Sequence, residues 1–172
     1  MQTIIYKYIK FRNIIIVLLL CLFSNGCYSF KGGSIPEHLK TLQIETIIDN
    51  SNFGNPNYKI ELENNLISDF QKDNSFELAE NNGDAKISTT ITSITESTQT
   101  IGTNELETER KISVSVSVKY YDNINCKQIW EKTFSNYQLF DITNISTARN
   151  EAIQSILLQI SEDIMLAVVS GW

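Results

Sequence analysis

Apolar and polar residues alternate over the middle of the chain, a pattern that predicts β-strands. The alternation is most regular from Lys111 to Tyr120, where isoleucine, valine and tyrosine alternate with serine and lysine. A further strand is expected over 128–140, with Trp130 and Phe134 facing the core, although Lys132 shares their parity. The first of these strands therefore has one apolar face and one polar face.

A Thr/Ser/Ile run over 86–100 predicts another strand, with a local irregularity. Ile87 and Ile91 share one parity, whereas Ile94 has the other. An extra residue in the strand would let Ile94 face the same side as Ile87 and Ile91, so we expect a β-bulge near Ser93.

Shorter elements are expected earlier in the chain. Residues 41–48 predict a strand and 76–80 a brief one, followed by a tight Asn-Asn-Gly-Asp turn at 81–84. The apolar face of the strand over 41–48 is expected to consist of Leu42, Ile44 and Ile48.

Apolar residues that recur every four positions predict a first helix beginning at Pro56. Either Asn55 or Asn57 can cap its first turn. Its buried stripe is expected to consist of Tyr58, Leu62, Leu66 and Phe70.

A second, longer helix is predicted near the end of the chain. Ser146 or Thr147 is expected to cap it, and Gly171 to end it. Its apolar stripe is expected to consist of Ala148, Ala152, Ile153, Ile156, Leu157, Ile160, Ile164, Ala167 and Val168.

The order of these elements predicts an α+β fold in a single domain over 39–172. Strands with one polar and one apolar face need cover on one side only. We therefore expect a two-layer sandwich, with two helices packed on one face of a mostly antiparallel four-stranded sheet.

The N-terminus has the pattern of a bacterial lipoprotein export signal. Basic residues precede the ten-residue apolar run 14–23, and small residues precede a cysteine. We expect a signal peptide over 1–26, cleavage after Gly26 and acylation of Cys27. Residues 27–38, which include two adjacent glycines, are expected to form the lipidated N-terminus and a flexible tether.

Two other interpretations of this segment stay open. An ordinary secretory cut at the same bond would release a soluble protein with a free thiol. A retained transmembrane helix is less favoured, because ten apolar residues are about half of what the hydrocarbon core requires.

The charge balance argues against nucleic-acid partners. Residues 1–26 hold three of the 14 basic residues and none of the 20 acidic ones, so the rest of the chain has a formal charge of −9. Such a surface repels nucleic acid and anionic lipid at long range.

Residues suited to catalysis or metal binding do not form a recognisable constellation in this sequence. His38 is the single histidine, Cys126 has no histidine or cation that would clearly activate it, and Glu162-Asp163 has no facing carboxylate pair. We therefore expect neither an enzyme, nor a cofactor, nor a metal site. We interpret Glu105, Glu107 and Glu109 as solvated residues of a hairpin loop. We interpret Ser113, Ser115 and Ser117 as polar residues on the face of a strand.

The polar strand face is the remaining feature of interest. Two hydroxyl-rich strands place many neutral donors and acceptors side by side, with Lys111 and Lys119 about 26 Å apart at the usual strand rise. This is either an ordinary solvated face or a docking surface. One suitable partner is the polar, hydrated lumen wall of a large outer-membrane barrel.

Several segments resemble those of the lipopolysaccharide-assembly lipoproteins. The most specific is the run from Cys27 to Pro36 just after the proposed anchor. The others are Asn55-Pro56, Trp130-Glu131 with Phe134-Ser135 and Tyr137, and the closing Ser170-Gly171-Trp172.

This resemblance implies an outer-membrane lipoprotein on the periplasmic side, seated in the β-barrel of a lipopolysaccharide translocon. Such a protein plugs the barrel, assists its assembly and contacts lipopolysaccharide. The absence of an acidic residue at positions 28–30 favours the outer membrane. The residues implied for lipopolysaccharide contact, by location, are Arg110, Lys111, Lys119 and Lys127. A lipid-anchored binding or scaffold module of another envelope complex is the alternative, and a periplasmic hydrolase would require a deep pocket.

Overall fold

Three long antiparallel strands form the centre of the fold. In this computed structural model, which describes residues 35–101 and 107–170, they are β4 (Ala85–Ile101), β5 (Glu107–Asp122) and β6 (Lys127–Asp141). The β5 and β6 ladder pairs Lys111 with Leu139 and Lys119 with Glu131. The strands predicted over 86–100, 111–120 and 128–140 are confirmed, and each extends beyond the predicted residues at both ends.

Three short strands join the sheet in parallel, which corrects the prediction of a four-stranded, mostly antiparallel sheet. They are β1 (Thr41–Ile44), β2 (Ile48–Asp49) and β3 (Glu77–Leu78). The described sheet is mixed, with the order β3-β1-β4-β5-β6, and β2 pairs with β4 next to β1. The parallel pairs arise because helix α1 (Asn57–Asp73) returns the chain to the same end of the sheet before β3 begins.

The predicted strand over 41–48 is interrupted, and this changes which isoleucine is buried. Residues 45–47 lie between β1 and β2, so the two-residue period is broken. Ile47 is 1% exposed, whereas Ile48, expected inside, is 57% exposed. The prediction for Ile48 was therefore wrong.

The β-bulge expected near Ser93 is confirmed. The pairing of β4 with β5 shifts between Ile91 and Ser93. The extra residue lets Ile91 and Ile94, three positions apart, both enter the core.

Helix α1 begins close to the predicted position. The N-cap is Pro56, which has no side chain that could cap the helix, so the prediction that Asn55 or Asn57 caps it was wrong. The side-chain Oδ1 of Asn55 accepts a hydrogen bond of 3.1 Å from the N–H of Asn57, just before the first turn. Its predicted stripe is buried throughout, and Asn74, in the left-handed region, ends the helix by donating to the carbonyl of Phe70.

Helix α2 (Ile145–Ser170) begins before the residues predicted to cap it. The N–H of Ala148 donates to the carbonyl of Asn144, so Ser146 and Thr147 lie inside the helix and the capping prediction was wrong. The predicted stripe is otherwise buried, with Ala148 only partly so. Within the described residues, α2 is long and apolar enough to cross a membrane, but its stripe packs in the core.

Both helices cover one face of the sheet, as predicted, and they run parallel to each other. Tyr58 donates to Asn150 at 2.7 Å near their N-termini, and Ser161 donates to Asp69 at 2.6 Å eleven residues further along each helix. One continuous hydrophobic core lies between the helices and the sheet. The opposite face of the sheet has no helix over it within the described residues.

Several predictions concern residues outside the described ranges. These are the signal peptide 1–26 with its cleavage after Gly26, the acylation of Cys27, the tether up to residue 34, Glu105 and Gly171. Ile35 packs against the core and His38 contacts β5, so the last residues assigned to the tether contact the folded body. Glu107 and Glu109 belong to strand β5 rather than to a loop, which corrects that prediction.

Candidate functional site

The sheet face that the helices leave open is the candidate site, and we call it the hydroxyl face. Its polar positions alternate with the core residues of three strands, because successive side chains of a strand point to opposite sides. It consists of Ser88, Thr90, Ser93, Ser113, Ser115, Ser117, Thr133 and Ser135.

Hydrogen bonds between strands order the centre of this face. The hydroxyl of Ser135 donates to that of Ser115 at 2.9 Å, and the hydroxyl of Thr92 donates to the Ser115 carbonyl at 3.0 Å. Ser113, Ser115 and Ser117 are half-buried. The centre of the hydroxyl face is therefore neutral and offers hydroxyl donors and acceptors over three adjacent strands.

Charged and aromatic residues lie at the two ends of the hydroxyl face. At one end, the Lys111 ammonium lies 4.1 Å from the centroid of the Tyr137 ring, a cation–π contact. At the other end, the Lys86 ammonium lies 2.9 Å from the Glu45 carboxylate, which also accepts a hydrogen bond from Ser88.

The Glu45 carboxyl at that end is held in its charged form. Partial burial raises its pKa, but the hydrogen bonds from Ser88 and Lys86 and the charge of Lys86 outweigh burial and lower the pKa below its ordinary value. This end of the face therefore presents a neutralised ion pair.

The four basic residues implied for lipopolysaccharide contact do not lie together. Lys111 and Lys119 share the hydroxyl face, eight residues apart on β5, and Lys119 lies 3.5 Å from Glu131. Lys127 is exposed at the start of β6, opposite Asp122 in the ladder. The structure therefore brings together no cluster of these four side chains.

Arg110 lies on the helix side of the sheet, opposite in direction to Lys111. Its guanidinium contacts Glu96 at 2.7 Å, and Arg149 of α2 contacts the other oxygen of the same carboxylate at 2.8 Å. Burial raises the pKa of Glu96, but the hydrogen bonds and charges of the two arginines lower it overall. This cluster joins the outer part of β4 and β5 to the start of α2.

A second polar cluster, which the sequence did not indicate, joins the N-terminal segment to the turn after β5. His38 Nε2 lies 2.6 Å from Asp122 Oδ2, and Asn125 donates to Asp122 through both its backbone N–H and its side chain. The backbone hydrogen bond from Asn125 is the largest influence on the pKa of Asp122. Burial opposes it, but the hydrogen bonds from His38 and the Asn125 side chain add to it, and together they lower the pKa to about 2. Contacts between residues 84 positions apart leave no signal in a single sequence.

A metal site needs clustered ligands, and a catalytic site usually lies in a pocket. Groups of three or more potential metal ligands are absent from residues 35–101 and 107–170. Two shallow depressions of about 340 and 310 Å³ lie beside the loop before α1 and beside β1, and neither is lined by a serine, threonine or cysteine. Cys126 is an exposed free thiol in the turn between β5 and β6.

Structures with this fold are known from other bacteria. The chain is similar to a Chlamydia trachomatis protein, CT253 (10% identity, TM-score 0.56, covering 76% of this chain and 98% of that one). It is also similar to XCC0632 of Xanthomonas campestris (11%, TM-score 0.55, 80% and 90%) and to a minor lipoprotein of Acinetobacter baumannii (14%, TM-score 0.52, 76% and 92%). At these identities the likeness establishes the fold alone.

A family model identifies the chain more specifically. No curated protein matches it. The model of the lipopolysaccharide-assembly family LptE, a non-catalytic accessory lipoprotein family, matches residues 39–168 and so covers most of the chain and nearly all of the described body. The resemblance seen in the sequence is thereby confirmed, and this chain belongs to the lipopolysaccharide-assembly (LptE) family of envelope lipoproteins.

Proposed function

We propose that this protein is an outer-membrane lipoprotein that acts as an accessory, plug subunit of the lipopolysaccharide translocon. Acyl chains on Cys27 anchor it in the periplasmic leaflet, and the body enters the β-barrel of the partner. It assists assembly of the barrel and delivery of lipopolysaccharide to the cell surface. The family match over 39–168 is the observation that carries this proposal.

The hydroxyl face supports the docking step. The lumen wall of a large barrel is polar and hydrated, so a partner surface there needs many neutral hydrogen-bonding groups rather than an apolar patch. The centre of the hydroxyl face has this composition, and towards its ends Lys86 is paired with Glu45 and Lys119 with Glu131. Anchoring also raises the local concentration of the protein beside the barrel, so a modest interface stays occupied.

The decisive experiment is affinity purification of the full chain from detergent-solubilised membranes. We expect one large outer-membrane barrel to co-purify. Ser115→Glu together with Ser117→Glu places two carboxylates in the hydroxyl face and is expected to abolish that co-purification. Gln154→Glu, at an exposed position on α2, is the matched control and should retain the barrel.

Two outcomes would contradict the proposal. Depletion that leaves the barrel correctly assembled and surface lipopolysaccharide unchanged would exclude an accessory role. Co-purification of peptidoglycan or of a secretion complex instead of a barrel would favour the alternative, a lipid-anchored scaffold module.

Direct contact with lipopolysaccharide by Arg110, Lys111, Lys119 and Lys127 stays part of the proposal. Lys111 and Lys119 both face outward from the hydroxyl side, where Lys119 also lies 3.5 Å from Glu131, whereas Arg110 lies on the helix side and contacts Glu96. We expect Lys111→Ala with Lys119→Ala to weaken binding of purified lipopolysaccharide. Lys72→Ala, an exposed lysine on α1, is the control.

A further inference from the structure

The turn between β5 and β6 presents an unusual side chain at its tip. Residues 123–126 form this turn, where glycine, asparagine, aspartate and serine are the ordinary choices. Ile124 nevertheless lies there with 54% of its surface exposed, and Ile129 at the start of β6 is 40% exposed. Single exposed apolar residues are common in proteins, so the pair gains meaning only from its location.

The two asparagines of this turn, on either side of Ile124, make hydrogen bonds within the protein. The N–H of Asn123 donates to the Asp84 carbonyl at 2.8 Å, and its side chain donates to the Gly83 carbonyl at 2.7 Å. Asn125 donates twice to Asp122. Because these groups already have protein partners, moving the tip out of water costs little in lost hydrogen bonds.

The N-terminal segment reaches the folded body at this same turn. His38 contacts Asp122, the residue just before the turn, and the described body begins three residues earlier at Ile35. Seven residues separate Ile35 from Cys27, and a fully extended chain covers at most about 3.6 Å per residue. The body can therefore begin no more than about 30 Å from whatever holds Cys27.

We propose that the β5–β6 turn is a membrane-contacting tip, in which Ile124 and Ile129 enter the interfacial region of the phospholipid leaflet that holds the anchor. This inference rests on the proposed acylation of Cys27 and adds a second contact between the body and the bilayer. Lys127, exposed between the two isoleucines, matches the anionic headgroups at that depth.

Cys126 supplies the probe for a test, since it is an exposed thiol two residues from Ile124. The full, acylated chain is labelled at Cys126 with an environment-sensitive nitrobenzoxadiazole dye. It is then reconstituted in vesicles of phosphatidylethanolamine with a minority of phosphatidylglycerol. We expect a blue-shifted emission and about twofold quenching by lipids brominated near the headgroup.

Matched variants give the test its specificity. Ile124→Glu should return the dye to a water-like emission, whereas Ile60→Glu, a similarly exposed isoleucine on α1, should leave it unchanged. A dye on Thr143→Cys in a Cys126→Ser chain, beyond the far end of β6, should report water throughout.

The two proposals fail in different ways. A chain that floats with the vesicles while the Cys126 dye reports water overturns the membrane-contacting tip and leaves the lipid anchor standing. A chain that does not float with the vesicles overturns the anchor, and the tip with it.

Discussion

Asp69 and Ser161 form a buried polar contact between the two helices. Asp69 is 6% exposed and Ser161 fully buried, and the serine Oγ also lies 2.7 Å from the carbonyl oxygen of Leu158 in its own helix. Lys72 lies 3.7 Å from the second carboxylate oxygen of Asp69. A buried polar group is tolerated only when its hydrogen bonds are made, so each of these side chains depends on the other.

Replacement of Ser161 by alanine should therefore destabilise the protein. It removes a hydrogen bond from a buried carboxylate, which costs about 1–3 kcal/mol. The measurement is the free energy of unfolding in urea. Ser155→Ala, a half-buried serine on the same helix, is the control and should change stability by less than about 0.5 kcal/mol. Equal effects of the two substitutions would show that the contact with Asp69 contributes nothing specific.

Asp122 makes stability depend on pH. Its pKa is lowered to about 2 in the folded protein, first by the backbone N–H of Asn125, against about 3.9 for an aspartate in an unfolded chain. A lowered pKa means that the folded state favours the charged form, so its contribution is full above pH 4 and is lost between about pH 4 and pH 2. Asp84 acts in the same direction, because the N–H groups of Lys40 and Thr41 lower its pKa.

We expect Asp122→Asn to flatten the acid limb of the stability curve. The asparagine cannot take up a proton, so the loss of stability between pH 4 and pH 2 should be smaller than in the parent chain. Urea midpoints at pH 7, 4, 3 and 2 measure this. The exposed Asp163→Asn serves as the comparison, and a curve of unchanged slope for Asp122→Asn would contradict the role given to Asp122.

At the scale of elements, the two helices differ in the width of the face that they bury. Helix α1 buries Tyr58, Leu62, Leu66 and Phe70 and leaves Ile60 52% exposed. Helix α2 is buried over a broader stripe and contacts both β5 and β6. Its pairing with α1 covers the apolar side of the whole sheet, which leaves the hydroxyl face free for a partner.

Removal of the largest fully buried side chain of α1 should lower stability strongly. Phe70 is 0% exposed and its ring packs edge-on against that of Phe76, with ring centroids 6.5 Å apart. Phe70→Ala should cost about 3–5 kcal/mol, since a large cavity is left in a packed core. Ile60→Ala on the same helix should cost less than about 0.5 kcal/mol. Thermal or urea unfolding of both variants decides whether this stripe holds α1 to the sheet.

At the scale of the whole molecule, the proposed anchor and the hydroxyl face have separate tasks. Acyl chains give membrane affinity that does not depend on any protein contact, and each buried methylene adds about 0.8 kcal/mol. The body then needs only enough surface to recognise its partner. A formal charge of −9 without residues 1–26 fits this division, because the net charge of the body adds no attraction to anionic lipid and the acyl chains supply the membrane affinity.

Cys27→Ser should therefore release the protein from the membrane without unfolding it. Fractionation of cells into membrane and soluble parts is the measurement, and most of the variant is expected in the soluble part. Cys126→Ser, at the other cysteine outside the predicted signal peptide, should stay with the membranes. Membrane retention of Cys27→Ser at the parent level would contradict the lipid anchor.

Local patterns in the amino-acid sequence account for much of this fold. The alternation over 111–120, the phase change near Ser93 and the four-residue stripe of α1 all follow from the geometry of a single strand or helix, which is encoded in consecutive residues. The family resemblance likewise came from residues taken in order. For the hydroxyl face, the same alternation indicated which serines point away from the core.

The meeting of distant segments depends instead on tertiary packing. The parallel pairing of β1 with β4 and the contact of His38 with Asp122 join residues about 40 to 84 positions apart, and the burial of Ile47 in place of Ile48 follows from how β1 and β2 join the sheet. Packing also brought Arg149 of α2 to Glu96, the carboxylate that Arg110 contacts on the helix side of the sheet. Such contacts depend on how distant segments pack against each other, and the spacing of apolar residues within one strand or helix does not indicate them.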